Sequence, residues 1–261
     1  MKKNTKLFLG VAAGIAALNW LFKKPANAME ENINENFSGI GGGVGVSREA
    51  QENLKILNTE LKNAGFSSKI VRLAIMATIG KESNAIPKFE NGYSRTSNAR
   101  IRSIFSRTQN LSDSQLNYIK ADDVRFFNFV YDNKLGNGTG EGYKYRGSGY
   151  NQLTGKKNYS DRSAAAGVNL VLFPALNNNP SIAAKTAIDF FKNCINSTTG
   201  KSTLKNRCGV TNVNDIPTLE LAVRYFCNCN TGIGSAWNGA KVNNAFNKAW
   251  PYTIKYFPFA L

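Results

Sequence analysis

The chain contains no histidine. That absence excludes Ser-His and Cys-His nucleophiles and any Cys/His metal pattern. Acid–base chemistry therefore falls to carboxylates, lysine, tyrosine or thiol. Acidic residues are also few: Asp+Glu 17 against Lys+Arg 33, a net charge of +16 and a pI of about 9.8. Such a field favours an anionic partner, whether nucleic acid, acidic lipid or the anionic polymers of a bacterial wall. No helical pattern concentrates basic residues with interleaved aromatics, so no nucleic-acid partner is expected. Cysteines number only four, Cys194, Cys208, Cys227 and Cys229, all in the last third. Sequence leaves their three pairings open. Cys194 with Cys208 would close a short polar loop, and Cys227-x-Cys229 is too tight for a common zinc or thioredoxin pattern. One structural disulfide or none is expected, with no metal and no cofactor. No internal repeat is visible, and strand signals are weak and scattered.

What is present begins with a targeting pattern. Lys2, Lys3 and Lys6 precede an apolar run from Leu7 to Phe22, then come Lys23, Lys24 and Ala26-Asn27-Ala28. Residues 1–28 read as a secretory signal or an uncleaved anchor. The run is short for a full span, but flanking lysines can extend its reach. Membrane contact is expected through residues 7–22, and the expected location is the cell envelope or beyond it. Residues 29–46 are polar and then glycine-rich, which describes a flexible linker. One domain is expected over residues 47–261.

That domain reads as mainly α. Ser47 caps a helix carrying Leu54, Leu57 and Leu61, which ends at Gly65. Ser67 or Ser68 starts a second, from Ile70 to Ile79, that is apolar nearly all round and therefore central. Ser112 with Gln115 forms a capping box. Asp122 opens a helix bearing Phe126, Phe127 and Phe129. Further helices are expected near 160–167, 181–195, 218–227 and 240–249.

Two features carry chemistry. Gly140 to Tyr159 holds five glycines, four tyrosines and a Gln152-x-Thr154-x3-Asn158 series. Glycines permit close backbone approach, tyrosine faces suit sugar rings, and amides can donate to and accept from hydroxyls and N-acetyl groups. A small hairpin would suit this stretch. The second feature is a pair of glutamates. Glu82 follows the central helix, and Glu90 lies eight residues on, across a loop containing Pro87. Two such carboxyls suit glycoside hydrolysis by inversion, which needs them about 6.5–9.5 Å apart.

The order of these parts resembles glycoside hydrolase family 19, the plant-type chitinases and many bacteriophage endolysins. Gln152, Leu153, Thr154, Asn158 and Tyr159 fall on its Tyr-x-Gly-Arg-Gly-x-Ile-Gln-Leu-Thr-x3-Asn-Tyr signature. Ser148 replaces an arginine and Asn151 an aliphatic residue. Lys81-Glu82-Ser83 matches its His-Glu-Ser/Thr motif with lysine for histidine, and Glu90-Asn91-Gly92-Tyr93 resembles the context of its second glutamate. Asn228 sits where the family has Asn-Gly-Gly, with Cys229 for a glycine. The resemblance covers roughly residues 50–250. It implies an α+β lysozyme-like fold with a catalytic cleft. It makes Glu82 the general acid, Glu90 the base, and Thr154 a holder of water, with Tyr145, Gln152, Asn158 and Asn228 binding sugar. The basic charge points to peptidoglycan cleavage by an endolysin or virion-associated lysin. A chitinase, or a non-catalytic wall-binding protein on a degenerate lysin domain, are the alternatives.

Overall fold

The structure, a computed structural model, describes residues 45–261. The expectations for residues 1–28, and for the linker up to residue 44, lie outside the described residues. Among the described residues the chain is mainly helical and has no strand. It divides into two compact units. One comprises residues 45–85 with 190–261, the other residues 86–189. No composition shift marks this division within the expected domain 47–261: the second unit is a continuous insertion whose later boundary falls inside a helix.

In the first unit, α1 (Arg48–Asn63) is capped by the Ser47 hydroxyl and buries Leu54, Leu57 and Leu61. The next helix, α2 (Lys69–Ser83), is capped by Ser68 and buries every residue from Val71 to Gly80. The all-round apolar pattern is thus the signature of a central helix. Its one interior charge, Arg72, reaches Asn58 Oδ1 at 2.8 Å and the carbonyls of Phe66, Ser67 and Ala260 at 3.0, 2.6 and 2.9 Å. A buried guanidinium without such acceptors would be costly.

Two C-terminal helices of the same unit pack on α2; the second unit precedes them in the chain. There, α3 (Asn98–Ile104), α4 (Asp113–Lys120) and α5 (Asp123–Tyr131) surround an aromatic core. Ser112 and Gln115 form the expected capping box, and Asp122 caps α5. Phe126 and Phe127 are fully buried; Tyr93 stacks on Phe126 at 4.9 Å and meets Phe105 edge-on at 5.1 Å. After the Gly/Tyr stretch comes α6 (Lys156–Ala166), then α7 (Pro180–Asn196), within which the division between units falls. The expected hairpin is a single antiparallel bridge between Ser148 and Leu153, with no strand.

The chain then returns to the first unit through α8 (Thr198–Thr203), α9 (Leu219–Gly232) and α10 (Ala240–Tyr256). Both long helices outrun their expected ends. Gly232, at φ 98°, stops α9. In α10 the helix continues through Pro251. Packing outweighs the lost hydrogen bond there: a Cβ on Gly80 of α2 would lie 2.6 Å from the rings of Tyr252 and Tyr256. Cys194 of α7 and Cys229 of α9 form a disulfide, in place of the short Cys194–Cys208 loop. Helix packing, not sequence proximity, brings these two together. Cys208 and Cys227 are free and buried, and burial pushes each thiol up to about 11. They are therefore thiols at neutral pH and poor nucleophiles.

Candidate functional site

Glu82 lies inside the last turn of α2 rather than after it. A carboxylate at this end is opposed by the helix dipole. Lys81, in the same turn, supplies an offsetting charge: its ammonium is ion-paired with Glu82 Oε1. The Lys81 side chain is only 6% exposed, while that of Glu82 is 31% exposed. The same oxygen accepts from Asn230 Nδ2 at 2.7 Å. Asn230 reaches it because α9 runs on past residue 227.

Asn228, the expected sugar ligand, is instead 1% exposed, and its Nδ2 donates to Ser235 O at 2.9 Å. Two residues along a helix turn the side chain through about 200°. Asn228 and Asn230 therefore point to opposite faces, and it is Asn230 that belongs with Glu82.

In the second unit, Glu90 is enclosed by fixed donors. Tyr93 OH donates to its Oε1 at 2.8 Å, and Tyr131 OH lies 3.0 Å from Oε2. The amide of Gly147 points at Oε2 from 3.4 Å, and the Glu90 amide donates to Gly147 O at 2.7 Å. Burial, then the neighbouring Glu90 charge, pushes both phenols far above the usual tyrosine range. They remain protonated and serve as donors. Tyr131 was not a sequence candidate. It sits 41 residues from Glu90 and no local pattern marks it.

Gly147 explains one glycine of the Gly/Tyr stretch. A Cβ there would lie 2.9 Å from Gln152 Oε1 and 3.2 Å from Glu90 Oε2. The bare backbone thus lets the Gln152 amide and the Glu90 carboxylate come close. Gln152 adopts φ 53°, uncommon for a residue with a side chain. Its Nε2 donates to Lys88 O at 3.1 Å and Gly149 O at 3.2 Å, tying the stretch to the loop that carries Glu90. Thr154 Oγ1 donates to Gln152 O at 2.8 Å, and Asn158 Nδ2 donates to Thr154 O at 2.7 Å. Glu90, Gln152, Thr154 and Asn158 are therefore one connected group.

Tyr145 stands apart from it. The residue is 1% exposed, its hydroxyl donates to Val171 O at 3.0 Å, and its ring packs on Tyr159. It is a core residue in this structure. Ser148, which stands for an arginine of the resembled signature, is fully buried. Its Oγ accepts from Tyr159 OH at 2.6 Å and Asn177 Nδ2 at 2.9 Å. A satisfied interior network, not an open contact, occupies that position. Beside it, both amide atoms of Asn151 are buried with no hydrogen-bond partner among the described residues. An unmet amide of this kind costs about 1–3 kcal/mol.

Among the described residues, no group of three or more Cys, Asp or Glu side chains is placed to hold a metal ion, and no helix is long and apolar enough to cross a membrane. The chain matches no protein-family model and no curated protein sequence.

Proposed function

We propose that the chain is a peptidoglycan-cleaving glycosidase of lysozyme-like fold, an endolysin or virion-associated lysin that hydrolyses β-1,4 bonds with inversion. The observation that carries this reading is the setting of Glu90. Its carboxylate is held by two protonated phenols and faces the Gln152–Thr154–Asn158 series across a glycine. A carboxylate fixed by donors that do not themselves ionise is suited to accept a proton from water. In the scheme, Glu90 takes that proton while the water oxygen bonds to the anomeric carbon. The bond to the leaving oxygen breaks, and Glu82 supplies the proton that this oxygen takes up. The Thr154 hydroxyl turns from Gln152 O to the water, and the amides of Gln152 and Asn158 bind acetamido groups or hydroxyls. Inversion requires the two carboxyls to stand about 6.5–9.5 Å apart.

Both donors on Glu82 Oε1 must shift before that oxygen can donate a proton. This ion pair favours a second reading, a wall-binding protein on a degenerate lysin domain. A chitinase would use the same residues, but chitin is neutral and the net charge of +16 suits an anionic wall. The test is clearing of purified peptidoglycan by the full-length chain, with analysis of new reducing ends. Clearing with inverted reducing ends is expected. Binding without new ends would establish the non-catalytic reading, and cleavage of chitin alone the chitinase.

A further inference from the structure

The second unit carries a groove of about 490 Å³ away from the Glu90 group. One wall is the outer side of α6, from Ser160, Ser163 and Ala164. The other is the loop after Gly167, from Val168, Asn169 and Val171. None of the residues around Glu90 lines it. Its chemistry is set by what the chain omits there. From Ser163 to Ala184 there is no charged residue, in a chain with 33 basic and 17 acidic side chains. A phosphate-bearing or carboxylate-bearing ligand would find no cationic partner in this lining.

What the lining offers is mixed. Ala164, Val168 and Val171 present apolar surface. Ser160 is exposed, and the Ser163 hydroxyl sits at the groove while fixing its shape: it accepts from Leu170 N at 3.0 Å and donates to Tyr159 O at 2.8 Å. Asn169 Oδ1 accepts the amides of Val171 and Leu172 at 3.1 and 3.0 Å, which holds the loop open. The next residues, Leu172 and Phe173, are 62% and 60% exposed and continue the apolar surface. Aliphatic walls with a few hydroxyl and amide groups, no charge, and a volume in the range of small-ligand sites suit a pyranose, which has apolar faces and a polar rim.

We infer that this groove is a second saccharide site, separate from the Glu90 group, which binds an uncharged amino-sugar segment of a polysaccharide. The choice of sugar rests on the glycosidase reading; the neutrality of the ligand rests on the lining alone. Such a site would hold a glycan strand on the second unit between cleavage events, and it complements the long-range attraction of a basic chain to an anionic wall.

The probe is tetra-N-acetylchitotetraose, which is neutral, added to the full-length chain carrying Glu82→Gln. Amide shifts of Val168, Asn169 and Val171 on titration are expected from NMR. In calorimetry, Ala164→Phe or Ser160→Phe, each filling the groove from the exposed side of α6, should weaken that site about tenfold or more, equivalent to roughly 1.4 kcal/mol. Unfolding temperature and helical circular dichroism confirm the fold of each variant. Binding at Glu90, if present, forms a second class that these variants leave in place, so failure of the glycosidase reading removes one class and failure of the groove removes the other. Absent shifts at Val168, Asn169 and Val171, or unchanged binding in both folded variants, overturns the inference. So does preferential binding of a phosphate polymer at these residues.

Discussion

Glu82 and Glu90 are held by opposite means. Glu82 is on the rigid central helix of the first unit, but its partners are the ends of two side chains, Lys81 and Asn230. Glu90 is on a loop of the second unit, but its partners are two half-buried phenols packed in the aromatic core and a backbone amide. The rigid scaffold has the displaceable shell, and the loop has the fixed one. A group that must change partners during a reaction needs donors that can leave. A group that must hold one geometry needs donors that cannot. In the proposed reaction the first describes the acid and the second the base.

The sharpest break in the comparison is removal of each carboxyl. Glu82→Gln is expected to lower wall clearing by on the order of 10²–10⁴-fold, with a smaller loss of stability than Glu90→Gln because the amide oxygen can still accept from Lys81 and Asn230. Glu90→Gln should lose activity similarly. It should also lower stability, because the two phenols would lose a charged acceptor. Equal stability in both variants would erase the distinction between the two shells.

Next in size is the disulfide, which belongs to the first unit alone. Cys194 and Cys229 are 35 residues apart. Closing a loop of that length stabilises by about 3–4 kcal/mol in the chain-entropy account. Reduction, or Cys194→Ser with Cys229→Ser, should lower the unfolding midpoint and loosen the end of α9. Because Asn230 follows Cys229, amide shifts in the reduced chain should concentrate around Glu82 and spare Tyr93 and Tyr131. Uniform shifts through both units would show that the two regions do not respond separately.

The fixed shell has a pH signature. Burial first, then Glu90, raises the Tyr93 and Tyr131 phenols above the unfolded value of about 10. A raised folded pKa means that stability from the neutral phenols is fully present below about pH 10 and is lost as pH rises beyond it. Tyr131→Phe with Tyr93→Phe should therefore cost about 1–3 kcal/mol at neutral pH, from the unmet carboxylate. The double variant should also flatten the loss of stability above pH 10. An unchanged alkaline slope would mean these phenols do not govern it.

Several of these features were legible in the sequence, and the reasons divide cleanly. Local signals held: Ser47, Ser68, Ser112 and Asp122 all cap helices, and the apolar run from Val71 to Ile79 is the central one. Stop signals were less dependable. A helix was expected near 240–249, yet α10 runs on through Pro251 because its aromatic rings pack on Gly80. Long-range pairings were not legible. Tyr131 meets Glu90, and Cys194 meets Cys229, only through packing. The Asn230–Glu82 contact depends on helical register, and so on where α9 ends. Burial likewise converts Tyr145 from a ring that suits sugar into a core side chain.

The smallest expected effect bears most directly on what the displaceable shell is for. Lys81→Met keeps the buried stem and removes the ammonium. Glu82 keeps Asn230 and its access to water, so the stability change should stay below about 1 kcal/mol, as for pairs that solvent can replace. If the ion pair only occupies the acid in the resting state, the variant should clear peptidoglycan as fast as the parent or a few-fold faster. A loss of more than tenfold would make Lys81 part of the machinery, with the ammonium steering or binding the anionic wall. Parent and variant both inactive, with wall binding intact, would instead assign the Lys81–Glu82 pair to a protein that holds the wall without cutting it.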